Sequence, residues 1–142
     1  MSIRIAETDA EILSCHEVMA ALRPHVTKET FVERIRRQEK DGYRLAYLAD
    51  GGRPVAAAGY RVLENLAWGR LLYVDDLVTD EKLRSKGHGS RLFDWLVAAA
   101  RGAGCDGLHL DSGVFRHGAH RFYLMKRMDI TSYHFAMKLG PG

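Results

Sequence analysis

The stretch Leu72-Tyr73-Val74-Asp75-Asp76-Leu77-Val78-Thr79, with Arg84-Ser85-Lys86-Gly87-His88-Gly89-Ser90 a few residues on, decides how this chain is read. The first part is apolar and β-rich and spells a strand. The second is a basic, glycine-containing loop that runs into a helical pattern over residues 88–101. Two glycines let the backbone approach a ligand closely, and a helix start offers unpaired N–H donors and the positive end of the dipole. A strand, loop and helix in this order grip a pyrophosphate, and Arg84, Lys86 and Arg91 add charge of the right sign. The loop matches neither G-x-x-x-x-G-K-[ST] nor G-x-G-x-x-G after a first strand. Taken alone, its glycines serve equally well for turning.

Working outward, residues 2–6 alternate as a first strand. Thr8 with Glu11 forms a capping box for a helix that carries Ile12, Cys15, Val18, Met19 and Leu22 at helical spacing up to Pro24. A second helix starts at Thr27 and runs toward Gly42, with Arg34, Arg36, Arg37 and Lys40 on its polar face. Residues 43–49 and 54–63 are strands joined by the hairpin turn Asp50-Gly51-Gly52, and residues 70–79 complete an antiparallel meander. Then come the helix over 88–101, a strand over 107–112, a helix over 117–127 and a strand over 131–139. The order βααβββαβαβ predicts an α/β fold with a mixed, mostly antiparallel central sheet flanked by helices.

The 142 residues suit a single domain over 1–142, with 46% apolar and 27% charged residues. No apolar run is long enough to span a bilayer, and the acidic start (Glu7, Asp9, Glu11) is unlike a signal peptide. Cys15 and Cys105 read as buried free thiols, which points to a reducing, cytoplasmic setting and no membrane partner. Residues 1–81 carry a net charge of −3 and residues 82–142 a net charge of +6. That basic half could face phosphate groups or nucleic acid. No basic stretch interleaved with aromatics and no reader motif accompanies it, so nucleic acid is not the expected partner. The seven histidines show no metal-ligand spacing, and no metal is expected.

These residues resemble the GCN5-related N-acetyltransferase family over essentially the whole chain. Its R/Q-x-x-G-x-G/A signature matches Arg84-x-x-Gly87-x-Gly89, its central strand matches Leu72–Thr79, and its A-x-x-F-Y pattern matches Ala119 to Tyr123. Two positions depart from the family: Arg116 stands where Asn is frequent, and Arg127-Met128 where Gly-Phe is usual. The resemblance implies acetyl-coenzyme A as donor. Its pantetheine arm would lie along the backbone of Leu77, Val78 and Thr79. Its pyrophosphate would sit on the amides of Arg84, Ser85, Lys86, Gly87, His88, Gly89 and Ser90, with Arg116 nearby.

Acetyl transfer from a thioester to an amine poses two proton problems. An alkylammonium of pKa about 10.4 must lose a proton at a cost of about 4.6 kcal/mol at pH 7, and the departing thiolate gains from receiving one. The thioester oxygen also gains charge, which an amide at Leu77 or Val78 is placed by resemblance to stabilise. Tyr123 is the candidate acid by the motif; from spacing alone a core tyrosine on an amphipathic helix is the plainer reading. Asp75 and Asp76 are consecutive in an apolar strand and should point to opposite faces unless a bulge intervenes. By similarity to the diamine acetyltransferase branch, Asp75 is the base acting through water and Asp76 a substrate or structural contact; a salt-bridged strand end is an equally good reading. His134 is a further candidate substrate contact, or a packed or surface residue of the last strand. The run Arg116, His117, His120, Arg121 reads more simply as a solvated face.

The resulting expectation is an acetyl-CoA-dependent N-acetyltransferase acting on a primary amine of a small molecule or protein. The alternative is a coenzyme-A-binding sensory module of the same fold. Pocket walls are expected from residues 23–27, the acidic strand and the last strand. A short sheet could leave an edge that pairs in a homodimer.

Overall fold

Thr8 caps the first helix with the reciprocal box its sequence predicts: Oγ1 accepts from the Glu11 N–H at 3.1 Å, and Glu11 Oε1 accepts from the Thr8 N–H at 2.9 Å. This helix, α1 (Asp9–Ser14), does not continue to Leu22 but breaks at Cys15 and resumes as α2 (His16–Ala20). Ser14 Oγ donates to the Glu11 carbonyl at 2.6 Å and the Cys15 N–H reaches back only to Ile12, which tightens and ends the turn. The computed structural model describes residues 1–141, apart from the side chains of Glu81, Arg84 and Ser85. Its remaining elements are β1 (Ser2–Ile5), α3 (Lys28–Glu39), β2 (Arg44–Asp50), β3 (Arg53–Asn65), β4 (Gly69–Thr79), a 3-10 helix (Glu81–Lys86), α4 (His88–Gly102), β5 (Gly107–Leu110) and α5 (His117–Met125).

The sheet has the order β1-β2-β3-β4-β5, with every pairing antiparallel except β4 with β5. Gly51 and Gly52 both have positive φ (59° and 81°), the conformation a two-residue hairpin between Asp50 and Arg53 requires. Strand β2 is apolar on both faces because helices cover both. Leu45 and Tyr47 join Ile12, Val18, Met19, Phe31 and Ile35 of α1 to α3, while Ala46 and Leu48 join Leu92 and Leu96 of α4. Cys15 is buried, and burial pushes its thiol up to about 12; Cys105 is only partly covered, unlike the buried thiol its sequence context suggested.

The chain divides into two compact units, Met1–Leu110 and Asp111–Gly142. The second contains α5, and none of its described residues is buried. The strand expected over 131–139 is absent there: these residues form no backbone ladder, and Tyr133, Phe135 and Met137 are 84%, 90% and 82% exposed. Alternation alone does not make a strand. It needs a neighbour to take the backbone groups and cover the apolar face, and among the described residues this segment has neither.

Among the described residues no helix is long and apolar enough to cross a membrane.

Candidate active site

Strand β4 carries the site because its pairing changes twice along its length. On the β3 side, Val74 faces Tyr60 and Asp76 faces Gly59, so Asp75 is an extra residue with no partner. This bulge cancels the alternation that would have sent the two acids to opposite faces, and Asp75 and Asp76 line the same pocket. On the other side, β5 pairs with β4 only over Leu71–Val74. Beyond that point, among the described residues, β4 has no strand neighbour on that side, and alternate backbone groups of residues 75–79 face the opening.

Each acid is held by an arginine. Arg61 binds Asp75 in a fork, Nε to Oδ1 at 3.1 Å and Nη2 to Oδ2 at 2.8 Å. Arg23 donates from Nε to Asp76 Oδ1 at 2.8 Å and from Nη2 to the Asp75 carbonyl at 3.0 Å. The second oxygen of Asp76 accepts from the Tyr43 hydroxyl at 2.8 Å. Gly59 makes that last contact possible: a Cβ there would lie 1.7 Å from the Tyr43 oxygen, so only glycine lets the ring pass over β3. Burial pushes the Asp75 carboxyl above the usual aspartate range, while the Arg61 guanidinium pulls it back down. Burial, followed by the charge of Asp76, holds the Tyr43 phenol well above its ordinary value.

The pocket these groups share has a volume of about 230 Å³. Its floor is the acid pair with Tyr73 and Tyr43. One wall is the segment after α2, with Arg23, His25 and Val26, and the other is the face of α3 that presents Phe31, Arg34, Ile35 and Gln38. His16 fixes the first wall by a 2.9 Å hydrogen bond to the Val26 carbonyl. Residues 23–27 and the acidic strand were expected as walls. Tyr43, the inward face of α3 and the Arg61 that holds Asp75 were not, and Arg34 had been placed on the polar face of its helix. Arg61 was findable, since counting back across the β3–β4 turn brings it near Asp75.

The loop after β4 gives its two glycines different tasks. Gly87 has φ +80°, a conformation other residues avoid, and stands at the N-cap of α4 with no side chain to cap it. The first turn of α4 contains no acidic residue, so its amides from His88 to Ser90 remain available to an anion. Gly89 sits against β4: a Cβ there would come 3.0 Å from Thr79 Cγ2. These features, together with the open backbone at Leu77, Val78 and Thr79, fit an extended ligand that ends in phosphates. The His88 side chain is buried, which leaves only its amide to face a ligand. Lys86 is exposed, and Arg91 donates to the Met1 carbonyl at 2.6 Å. The side chains of Arg84 and Ser85 lie outside the described residues; their backbone belongs to the 3-10 helix.

The second unit holds the other three candidates. Burial pushes the Tyr123 phenol up, and the Arg116 guanidinium beside it works in the opposite direction. His134 is 66% exposed, with Nδ1 3.5 Å from Asp111 Oδ1. Arg127, where the family usually has glycine, takes a left-handed φ of +67° and closes α5: its N–H bonds Leu124 at 3.0 Å, and that of Met128 bonds Tyr123 at 3.1 Å.

Comparison with known proteins agrees with this geometry. A model described as the Acetyltransferase (GNAT) family matches residues 10–128, a span that enters both units. The chain is 35% identical over 122 residues to the uncharacterized N-acetyltransferase YhdJ of Bacillus subtilis (strain 168), covering 84% of this chain and 86% of that protein. A transcriptional regulator from Bacillus halodurans C-125 shares the fold with a TM-score of 0.85 at 20% identity, covering 97% of this chain and 99% of its own. Aminoglycoside N-acetyltransferase AAC(6')-Iy, solved in complex with CoA, also reaches a TM-score of 0.85 at 10% identity, over 97% of this chain and 93% of its own. A strand that opens beyond a bulge, a glycine loop that leads into an uncapped helix, and a match over most of the length have one conclusion: the chain belongs to the Acetyltransferase (GNAT) family, enzymes that take their acetyl group from acetyl-CoA.

Proposed function

We propose that the acceptor is a primary amine bound in the pocket over Asp75 and Asp76, and that its nitrogen attacks the thioester directly. One observation carries this reading: a single strand presents the acid pair to the pocket and, immediately beyond it, the open backbone of residues 77–79. Acetyl-CoA, when bound, supplies the acetyl group as a thioester. Leu77, Val78 and Thr79 would hold its pantetheine arm, and the amides around Gly87 to Ser90 its phosphates.

The chain's own groups meet the two proton demands. Both oxygens of Asp75 are engaged by Arg61, so the ammonium proton reaches it through an intervening water. A carboxyl raised by burial is a better base than an ordinary aspartate, and that is the direction of the Asp75 shift. Asp76, held by Arg23 and Tyr43, fixes the position of the amine. A backbone N–H of Leu77 or Val78 serves the developing oxyanion. Tyr123, whose phenol is raised by burial and keeps its proton at neutral pH, is the donor to the departing thiolate.

Two measurements test the proposal. Thermal unfolding should rise by several degrees with acetyl-CoA at about a hundred times its Kd, a stabilisation of about 2.7 kcal/mol, and not with ATP. Release of CoA thiol on adding primary amines should then fall on the order of a hundredfold in Tyr123→Phe. Tight acetyl-CoA binding with no thiol release over a broad amine panel would overturn the amine acceptor. Unchanged turnover and pH profile in Tyr123→Phe would remove that residue from the chemistry.

A further inference from the structure

The charge ledger of the acceptor pocket does not suit a polyamine. Asp75 is matched by Arg61 and Asp76 by Arg23, each through charge-assisted hydrogen bonds of 2.8 to 3.1 Å. The pair that is similar to the acids of the diamine acetyltransferase branch is therefore already matched by arginines. The same pocket contains a third guanidinium, Arg34, which lines its α3 wall in a half-buried position. Arg34 has no hydrogen-bond or ion-pair partner among the described residues, whereas Arg36, two residues on, is committed to Asp9, Glu39 and the Glu7 carbonyl. A guanidinium that lines a pocket while its carboxylates are taken by other arginines is a place for an anion.

The helix fixes where that anion sits. Gln38 accepts from Arg61 Nη2 at 3.3 Å and so marks the level of the acid pair on α3. Arg34 lies four residues before Gln38 on the same face, about 6 Å along the axis. Arg34, Asp75 and Asp76 line the same small pocket, so the guanidinium charge and an amine held over the acids share one volume. The volume, about 230 Å³, is below the range of about 300 Å³ upward that takes drug-sized ligands, and fits a small molecule.

We propose that the acceptor is a small zwitterion, with its amine over Asp75 and Asp76 and a carboxylate or phosphate, a few bonds away, on Arg34. This rests on the reading of the pocket as the acceptor site.

The test uses the full chain, acetyl-CoA and matched amines, with CoA thiol release as the readout. β-Alanine and 4-aminobutyrate supply the carboxylate, 2-aminoethyl phosphate the phosphate, 1,3-diaminopropane and putrescine a second cation, and propylamine neither. The expected result is a kcat/KM at least about tenfold higher for one of the oxyanion amines than for the diamines and propylamine. The better of the two oxyanion arms identifies the group. Arg34→Gln should bring the ratio of that substrate to propylamine down toward one, through KM rather than kcat. Arg34→Lys should keep part of the preference, and Arg34→Glu should turn it toward the diamines. Better turnover of diamines or propylamine by the unaltered protein overturns the zwitterion and leaves the amine acceptor standing, as does an unchanged ratio in Arg34→Gln. No turnover of any amine overturns both.

Discussion

Replacing Gly59 by alanine should damage the candidate site without touching a charged group. The added carbon would sit 1.7 Å from the Tyr43 oxygen, 2.2 Å from Cζ and 2.5 Å from Cε2. Unbonded carbons settle at about 3.5–4.0 Å, so the ring must withdraw by roughly 1–2 Å. Tyr43 is only 1% exposed and packs in the cluster under α1 to α3, so any shift of the ring disturbs that packing. Overpacking of this kind costs about 1–3 kcal/mol. Losing the hydrogen bond to the Asp76 carboxylate adds about 1.5–3 kcal/mol. Gly59→Ala should therefore destabilise the protein by about 2.5–6 kcal/mol, read as a lower urea midpoint at unchanged m-value. The decisive comparison is the same substitution in a Tyr43→Ala background, where the ring is gone. There both contributions are absent, so most of that cost, about 2.5–6 kcal/mol, should disappear, as coupling between residues in contact requires. Equal costs in the two backgrounds would refute the argument that Gly59 exists to let Tyr43 reach Asp76.

Removing Arg61 leaves burial to raise the Asp75 carboxyl unopposed by its main counterweight, so Arg61→Met should move the acid limb of the rate profile to higher pH. A carboxyl raised in the folded state binds more protons there than in the unfolded chain. Stability should accordingly fall as pH rises from the ordinary aspartate value through the folded one, and more steeply in Arg61→Met, as urea midpoints across pH 3–7 would record. Arg127→Gly relieves a left-handed conformation that costs other residues about 1–2 kcal/mol and should raise the urea midpoint by a comparable amount, less the added freedom of glycine. Gly87→Ala imposes the same strain at φ +80° and should raise the KM for acetyl-CoA several-fold more than that for the amine. The exposed series Tyr133, Phe135 and Met137 should make the chain self-associate, and light scattering of Tyr133→Ser/Phe135→Ser should show the smaller species.

Patterns that depend on near neighbours were legible before the coordinates. The Thr8 cap, the Gly51-Gly52 turn, the meander and the glycine loop all follow from residues within a few positions of one another. What escaped depends on partners distant in the chain. Arg23 meets Asp76 across 53 positions and Arg61 meets Asp75 across 14, so a salt-bridged strand end could be offered but neither partner named. The break at Cys15 turned on a competing Ser14 hydrogen bond that helical periodicity does not register. Residues 131–139 alternate as a strand does, but alternation carries no information about whether a neighbour is available. Arg127 was noticed as a departure from the family, yet only its φ explains what glycine would have done there.

The unpaired residue in β4 also limits how this site can change over time. A strand keeps a parity of two, and one extra residue splices two stretches of opposite parity into a single element. Substitutions at Asp75 or Asp76 alter the chemistry one side chain at a time. Loss or gain of a single residue there is different in kind: it restores the even count and turns over whichever half of the strand gives way. Either the face that packs on α4 or the open backbone edge of residues 77–79 would then be lost. New acceptors are accordingly reached by exchanging residues around the bulge, with the length of the strand held fixed.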